Sequence, residues 1–311
     1  MNSRITETGA NKVFFAVVVL NLVYFLGIKV VDRYCFGFLS DNNYLILIIN
    51  QFYFILFPVL LYLIVKKIDI KETLKINKFR ALPGVLILLI SIPAYMGASS
   101  LNVMIVYILQ STGYILGESL PVPQNFGDII LSILVVAVSP AICEEILHRG
   151  ILLKAYESRG SINAVVISSI LFGIFHFDLK NLSGPIFLGM LIGYYVIRTD
   201  SIFAGMLAHF VNNVLSVLVQ YFSSRWVGTG DSTKITEDQF IAVATFGIIC
   251  FIVMAFLLFC FHNTTKDKCE LKPSRTSIIR DIISVVRHWP VFLSLLLYVL
   301  YSVVFLLNQI L

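Results

Sequence analysis

Charge is scarce in this chain. Only 13% of its 311 residues are Asp, Glu, Lys or Arg, about half of the roughly 25% usual in a soluble domain. Hydrophobic residues make up 58% and the mean hydropathy is +0.90, which excludes an ordinary soluble globule. The five cysteines (Cys35, Cys143, Cys250, Cys260 and Cys269) form no CxxC pair. Most lie in or beside apolar segments, where Cys behaves as a small hydrophobe. Cys143 abuts Glu144, a place that would suit a thiol nucleophile, but a packed side chain is the simpler reading. HExxH, the helical signature of zinc proteases, is missing. So is a basic patch: the net charge is +5 and the basic residues fall in loops between apolar runs, so no nucleic-acid partner is expected. No small-x-small cleavage pattern follows the first apolar run, and MNSRITETGANK leads into a retained span, not a cleaved signal peptide.

What the chain has in abundance is apolar runs long enough to cross a bilayer, which takes about 20 residues each. They predict an all-α, polytopic transmembrane helical bundle of about eight or nine spans. The runs lie near 13–31, 44–65, 82–110, 127–147, 161–177, 183–197, 201–222, 240–262 and 289–310. The 183–197 run is short for a full crossing, and Pro83 and Pro93 could bend 82–110. The loop after the second run, KKIDIKETLKINKFR, holds six basic residues, and Asn263–His288 holds six more. The opposite loops carry only Arg33, Lys180, Arg225 and Lys234. Basic loops stay inside, so the N-terminus is expected in the cytoplasm. The chain divides into N-terminal transmembrane helices (1–126), a core (127–222) and a C-terminal loop with two further spans (223–311). Gly189 and Gly193 in GMLIG form a small-xxx-small pair suited to close helix packing.

Against this background, Glu144 and Glu145 stand out at the end of DIILSILVVAVSPAICEEILHRG. An acid at the bilayer centre costs about 2.5–3.5 kcal/mol on insertion scales, which makes it a functional-site hypothesis by default. Glu145 and Arg149 are four apart and share a helix face. An ion pair there neutralises one carboxylate, although such a pair needs further hydrogen bonds to break even. Glu144 is turned about 100° away, with His148 its nearest local candidate partner. It reads either as a general base or as a helix-end glutamate facing water. Phe172 and His176 in LFGIFHF repeat the four-residue spacing, as do His209 and Asn213 in LAHFVNNVL. A lone intramembrane His or Asn is commonly helix glue. Three successive segments with such groups can instead line one cavity. His148 falls near the cytoplasmic edge of its run, where solvent exposure is expected.

These residues resemble a known set. EEILHRG is similar to the EExxxRG motif of the CPBP family, which comprises the CAAX prenyl proteases and bacterial relatives linked to bacteriocin processing and self-immunity. FGIFH matches that family's FxxxH at Phe172 and His176, and HFVNN its HxxxN at His209 and Asn213. The resemblance implies an intramembrane, glutamate-dependent endopeptidase with a CAAX-protease-type catalytic core. It implies Glu144 as the base that activates water, His176 as the group that holds that water, and His209 and Asn213 as oxyanion donors. Glu145, Arg149 and Phe172 would support the site. The motifs do not extend over the last two spans.

The expected partners are the lipid bilayer and a membrane protein or peptide substrate, with or without a lipid group. The Ile- and Lys-rich composition points to a bacterial plasma membrane, where prenylated CAAX substrates are not expected. No cofactor is expected. Two alternatives use the same residues: a zinc-dependent membrane protease, since two His and a Glu can form an open zinc site, and a non-catalytic immunity or adaptor protein on the same fold. A proton or ion pathway is a weaker option. One geometric demand follows. The run limits put Glu144 near the cytoplasmic end of its span and His176 near the outer end, so a single site requires a longer helix through Pro140 or different limits.

Overall fold

The computed structural model describes residues 4–34, 42–111, 122–226 and 234–310; Cys35 lies outside them. In lipid a backbone must satisfy its own hydrogen bonds, and the apolar runs fold accordingly. The helices are α1 (Glu7–Tyr34), α2 (Asn43–Val65), α3 (Ala81–Gln110) and α4 (Phe126–Arg159). Next come α5 (Ser161–Phe175), α6 (Ser183–Thr199) and α7 (Ile202–Trp226). The last are α8 (Glu237–Thr265), α9 (Ile278–Val286) and α10 (Trp289–Ile310). The described residues contain no strand. Among the described residues, seven helices (α1–α4, α7, α8 and α10) are long and apolar enough to cross a membrane. The protein is an all-helical, polytopic membrane bundle. The runs at 161–177 and 183–197 fold as a hairpin of shorter helices, 15 and 17 residues long. Pro93 sits inside α3, which runs on through it.

Two expectations need correction. The fourth span does not end at 147: α4 continues to Arg159. The drop in hydropathy at EEILHR marks buried, paired charge and not a helix end. Nor is Asn263–His288 all loop, because Ser277 caps the amphipathic α9 by accepting from the Arg280 N–H.

The longer α4 also removes the conflict of depth. Gly160 turns the chain from α4 into α5 at φ 112°. Glu144 lies fifteen residues before Arg159 and His176 fifteen after Ser161, so antiparallel helices bring them to one level. The Gly160 turn is glycine-specific: its backbone angles fall where L side chains cost of order 1–3 kcal/mol. A Cβ there would also sit 2.6 Å from the Ser274 Cα and 2.8 Å from the Pro273 carbonyl. Gly160→Ala should therefore lower the thermal midpoint of the purified protein clearly, whereas Gly27→Ala, which meets nothing within 4 Å, should leave it nearly unchanged.

Polar bonds gather where α4 meets α5, and they tie both basic loops to this one end. Lys75 pairs with Glu157 at 2.7 Å and Asp200 at 3.1 Å. Arg159 joins Glu7 at 2.6 Å to Asp281 at 2.8 Å. Asp281 also accepts from Asn163 and Thr276, both at 2.6 Å. The chain's C-terminal third is bound to the core through this cluster, while α8 packs along α3 and α10 along α1. Burial raises the Asp281 carboxyl, but its hydrogen bonds from Thr276, Asn163 and Arg159 prevail and hold it below the usual carboxylate range. A depressed folded-state value gives stability that is complete above the unfolded range, near ~3.9, and is lost as pH falls through the lower folded value. The stability gap between wild type and Asp281→Asn, followed by thermal melts in detergent, should therefore be widest near neutral pH and close in acid.

Candidate active site

The site lies between two apolar clusters. One centres on α1, α2, α4 and α5 and also takes in Val196, Ile197, Ile202, Val285 and Val291 from α6, α7, α9 and α10; the other joins α3, α6, α7 and α8. Between them is a cavity of about 410 Å³ lined from α1 through α7. Three π-helical stretches surround it: Asn50–Leu56 in α2, and Ile133–Val138 and Ile146–Leu153 in α4. Such stretches re-aim side chains and are frequent at functional sites. The last immediately follows the two glutamates.

Glu144 lines the cavity; Glu145 does not. Glu145 is fully buried, and its Oε1 accepts from Arg149 Nη1 and contacts His209 Nδ1, each at 2.8 Å. Arg149 is buried too. It donates from Nη2 to the Gly189 carbonyl at 3.0 Å and lies over the Phe172 ring at 4.6 Å. The carbonyl is reachable because Gly189 has no Cβ, which would stand 3.3 Å from Nη2 and 3.1 Å from Ser169 Cβ. The ion pair thus gains two further hydrogen bonds, with His209 and the Gly189 carbonyl, while Glu145 Oε2 and Arg149 Nε have none among the described residues.

Glu144 is held differently. Its Oε1 accepts from Gln51 Nε2 at 2.8 Å, while its buried Oε2 has no hydrogen-bond partner among the described residues. Oε2 faces His209 Nε2 at 4.0 Å. His209 therefore stands between the two carboxylates, one ring nitrogen toward each. An ionised carboxylate only accepts, so Nδ1 carries the proton that bonds Glu145. Nε2 is then an acceptor on the neutral ring and a donor on the imidazolium.

His176 caps the end of α5 and is exposed at the cavity mouth. Its Nδ1 lies 2.8 Å from the Phe172 carbonyl, which leaves Nε2 as an acceptor on the neutral ring. Asn213 also lines the cavity and donates to the Val136 carbonyl, inside the second π-helical stretch, at 2.9 Å. Its amide has a second hydrogen to offer. The Phe172 ring is a hub, edge-to-face with His148, His176 and His209 at centroid distances of 4.9, 4.8 and 5.6 Å.

All seven sequence-derived residues thus gather around one cavity wall. His148 does not fit its expected exposure. It is fully buried, its Nδ1 is 2.9 Å from the Glu144 carbonyl, and Phe14, Phe172 and Phe175 enclose its ring. It does not line the cavity, and neither does the fully buried Cys143.

Gln51 and Asn212 went unread in the sequence. Gln51 sits in ILIINQFYFILF, where a polar pair inside an apolar run is the same signal that exposed Glu144. Asn212 is buried beside the cavity with its Oδ1 unpartnered among the described residues. If Gln51 orients the Glu144 carboxylate for chemistry, Gln51→Leu should lower kcat about 10–100-fold, matching the 1.5–3 kcal/mol of a hydrogen bond to a charged group. KM should stay nearly constant and Gln51→Asn should recover part of the loss. Steady-state kinetics on the folded variants checks this.

For a metal, the donor set is poor. Among the described residues, no three His, Cys, Asp or Glu side chains converge in a way that could hold an ion. Both inner contacts of Glu145 Oε1 are taken by Arg149 and His209.

The fold and this wall define a multi-pass membrane protein whose cavity carries Glu, His and Asn side chains. Residues 126–215, which carry all three motifs, match the family described as "Type II CAAX prenyl endopeptidase Rce1-like". The resemblance read from those motifs holds over this segment. The Bacillus subtilis (strain 168) protein described as "Putative membrane peptidase YdiL" is 36% identical over 91 residues, 29% of this chain and 37% of that relative. That similarity therefore spans about a third of either protein. No solved structure matches the chain significantly.

Proposed function

We propose that the protein is an intramembrane endopeptidase that hydrolyses a peptide bond in a membrane-associated protein or peptide, with Glu144 as the base and no metal. It resides in a bacterial plasma membrane with its N-terminus in the cytoplasm. The observation that carries this reading is the asymmetry of Glu144, a cavity-lining residue: Gln51 fixes one oxygen, and the other lies beside His209 with no hydrogen-bond partner among the described residues. A separation of 4.0 Å suits a bridging water.

Glu144 takes a proton from that water, which His176 Nε2 helps to hold as an acceptor. The oxygen adds to the scissile carbonyl carbon. Negative charge develops on the carbonyl oxygen and is met by the second amide hydrogen of Asn213 and by Nε2–H of His209. With Nδ1–H bonded to Glu145, that second donor exists only when the ring carries both protons. One such donor in a dry site contributes about 2.7–4 kcal/mol to the transition state. The proton on Glu144 then passes to the departing nitrogen, the C–N bond breaks, and an acid and an amine leave. Glu145 and Arg149 hold His209 in place; Phe172 packs the three rings.

Proteome-wide mapping of peptide termini tests this. Cells with wild-type protein should contain new termini that are absent with Glu144→Gln. The same termini in both would overturn the proposal.

A further inference from the structure

Resting on that reading, we infer that the substrate reaches Glu144 from the non-cytoplasmic side, as an extended and uncharged stretch of an exported or membrane-inserted chain. The cavity is one-sided. On α4 no lining residue lies beyond Glu144, on α5 none before Phe172, on α7 none before His209, and on α1 none before Asn21. Each limit excludes the part of the helix nearest the basic end. That end is packed shut: Leu147, Ile151, Leu152 and Leu153 below Glu144 on α4 are fully buried, and Ile202 is 1% exposed. His176, at the far tip of the short α5–α6 hairpin, is exposed and also borders a second cavity with Tyr301 and Phe305.

Lys and Arg identify the sides. The loops at 66–80 and 266–288 hold twelve basic residues between them, and the Lys75 and Arg159 networks join them at the closed end. Basic loops face the cytoplasm, so the cavity faces away from it.

The lining suggests what enters. Among the described residues, apart from Glu144 and the two histidines, it carries no titratable side chain except Tyr95, and most of its other polar groups are carboxamides such as Asn21, Asn50, Asn102, Asn181 and Asn212. A carboxamide both donates and accepts. It can replace water for the peptide groups of an extended chain, which have no other partner at membrane depth. A peptide tethered by lipid to the cytoplasmic leaflet would meet the closed end.

Cysteine labelling tests the access side independently of catalysis. All five native cysteines are replaced by alanine, and Asn181→Cys, Ser216→Cys or Glu72→Cys is introduced into the full chain. A membrane-impermeant maleimide is applied to intact spheroplasts and to inverted vesicles. Asn181→Cys and Ser216→Cys should label in spheroplasts, and Glu72→Cys, on the basic loop, only in inverted vesicles. Cavity labelling from the inverted face alone, or from neither face, would overturn the inference. On the unmodified chain, Glu144-dependent termini should map to exported or non-cytoplasmic segments; cytoplasmic termini would overturn it too. If no such termini exist at all, the protease reading fails, while the labelling still decides which way the cavity faces.

Discussion

Replacing Glu144 by Gln should lower peptide cleavage by roughly 10²–10⁴-fold, the usual span for removing a general base, with the fold intact. Gln has the shape of Glu, and its amide oxygen can still accept from Gln51 Nε2. The change removes a charge from a site that is only 7% exposed and keeps the size of the side chain, so the packing around it should hold. Arg149, the nearby cation, is bonded to Glu145 instead. Loss of rate with an unchanged thermal midpoint is thus the expected pattern. Glu145→Gln should behave otherwise, because it leaves Arg149 buried without its counter-ion. It should lower both stability and rate.

The second large effect concerns Arg149. Arg149→Met should destabilise the protein by about 3–5 kcal/mol, as expected when one partner of a buried pair is removed and the other charge is stranded. Lysine will not restore it fully, since an ammonium cannot bond Glu145 and the Gly189 carbonyl in the same fork while lying flat on Phe172. The double variant Glu145→Gln, Arg149→Met should recover part of the loss, because no charge is then left buried alone. Thermal or denaturant unfolding in detergent, run as a double-mutant cycle, measures both statements. Full additivity would show that the two side chains do not act as a pair.

Much of this site was legible in the sequence because its key relations are local. Glu145 and Arg149, Phe172 and His176, and His209 and Asn213 each sit four apart, and one turn of helix brings each pair together. What escaped was either non-local or hidden by the meaning of charge. Gln51 meets Glu144 across 93 positions, and no periodicity reports that contact. Hydropathy misplaces the end of α4 because it treats EEILHR as water-seeking, whereas Arg149 and Glu145 neutralise each other inside the bundle. The same error put His148 in solvent, though three phenylalanine rings surround it. Hydropathy hides α9 because it is only nine residues long and follows the charged stretch 266–275, although its apolar residues occupy one face.

The central claim is that a carboxylate does the chemistry without a metal. The most direct measurement is cleavage of a Glu144-dependent substrate peptide by purified protein after exhaustive chelation, confirmed by elemental analysis. Metal-free wild type should cleave at its full rate and metal-free Glu144→Gln should not. Activity that vanishes on chelation and returns with zinc, or a Glu144→Gln variant that cleaves like wild type, would contradict the account.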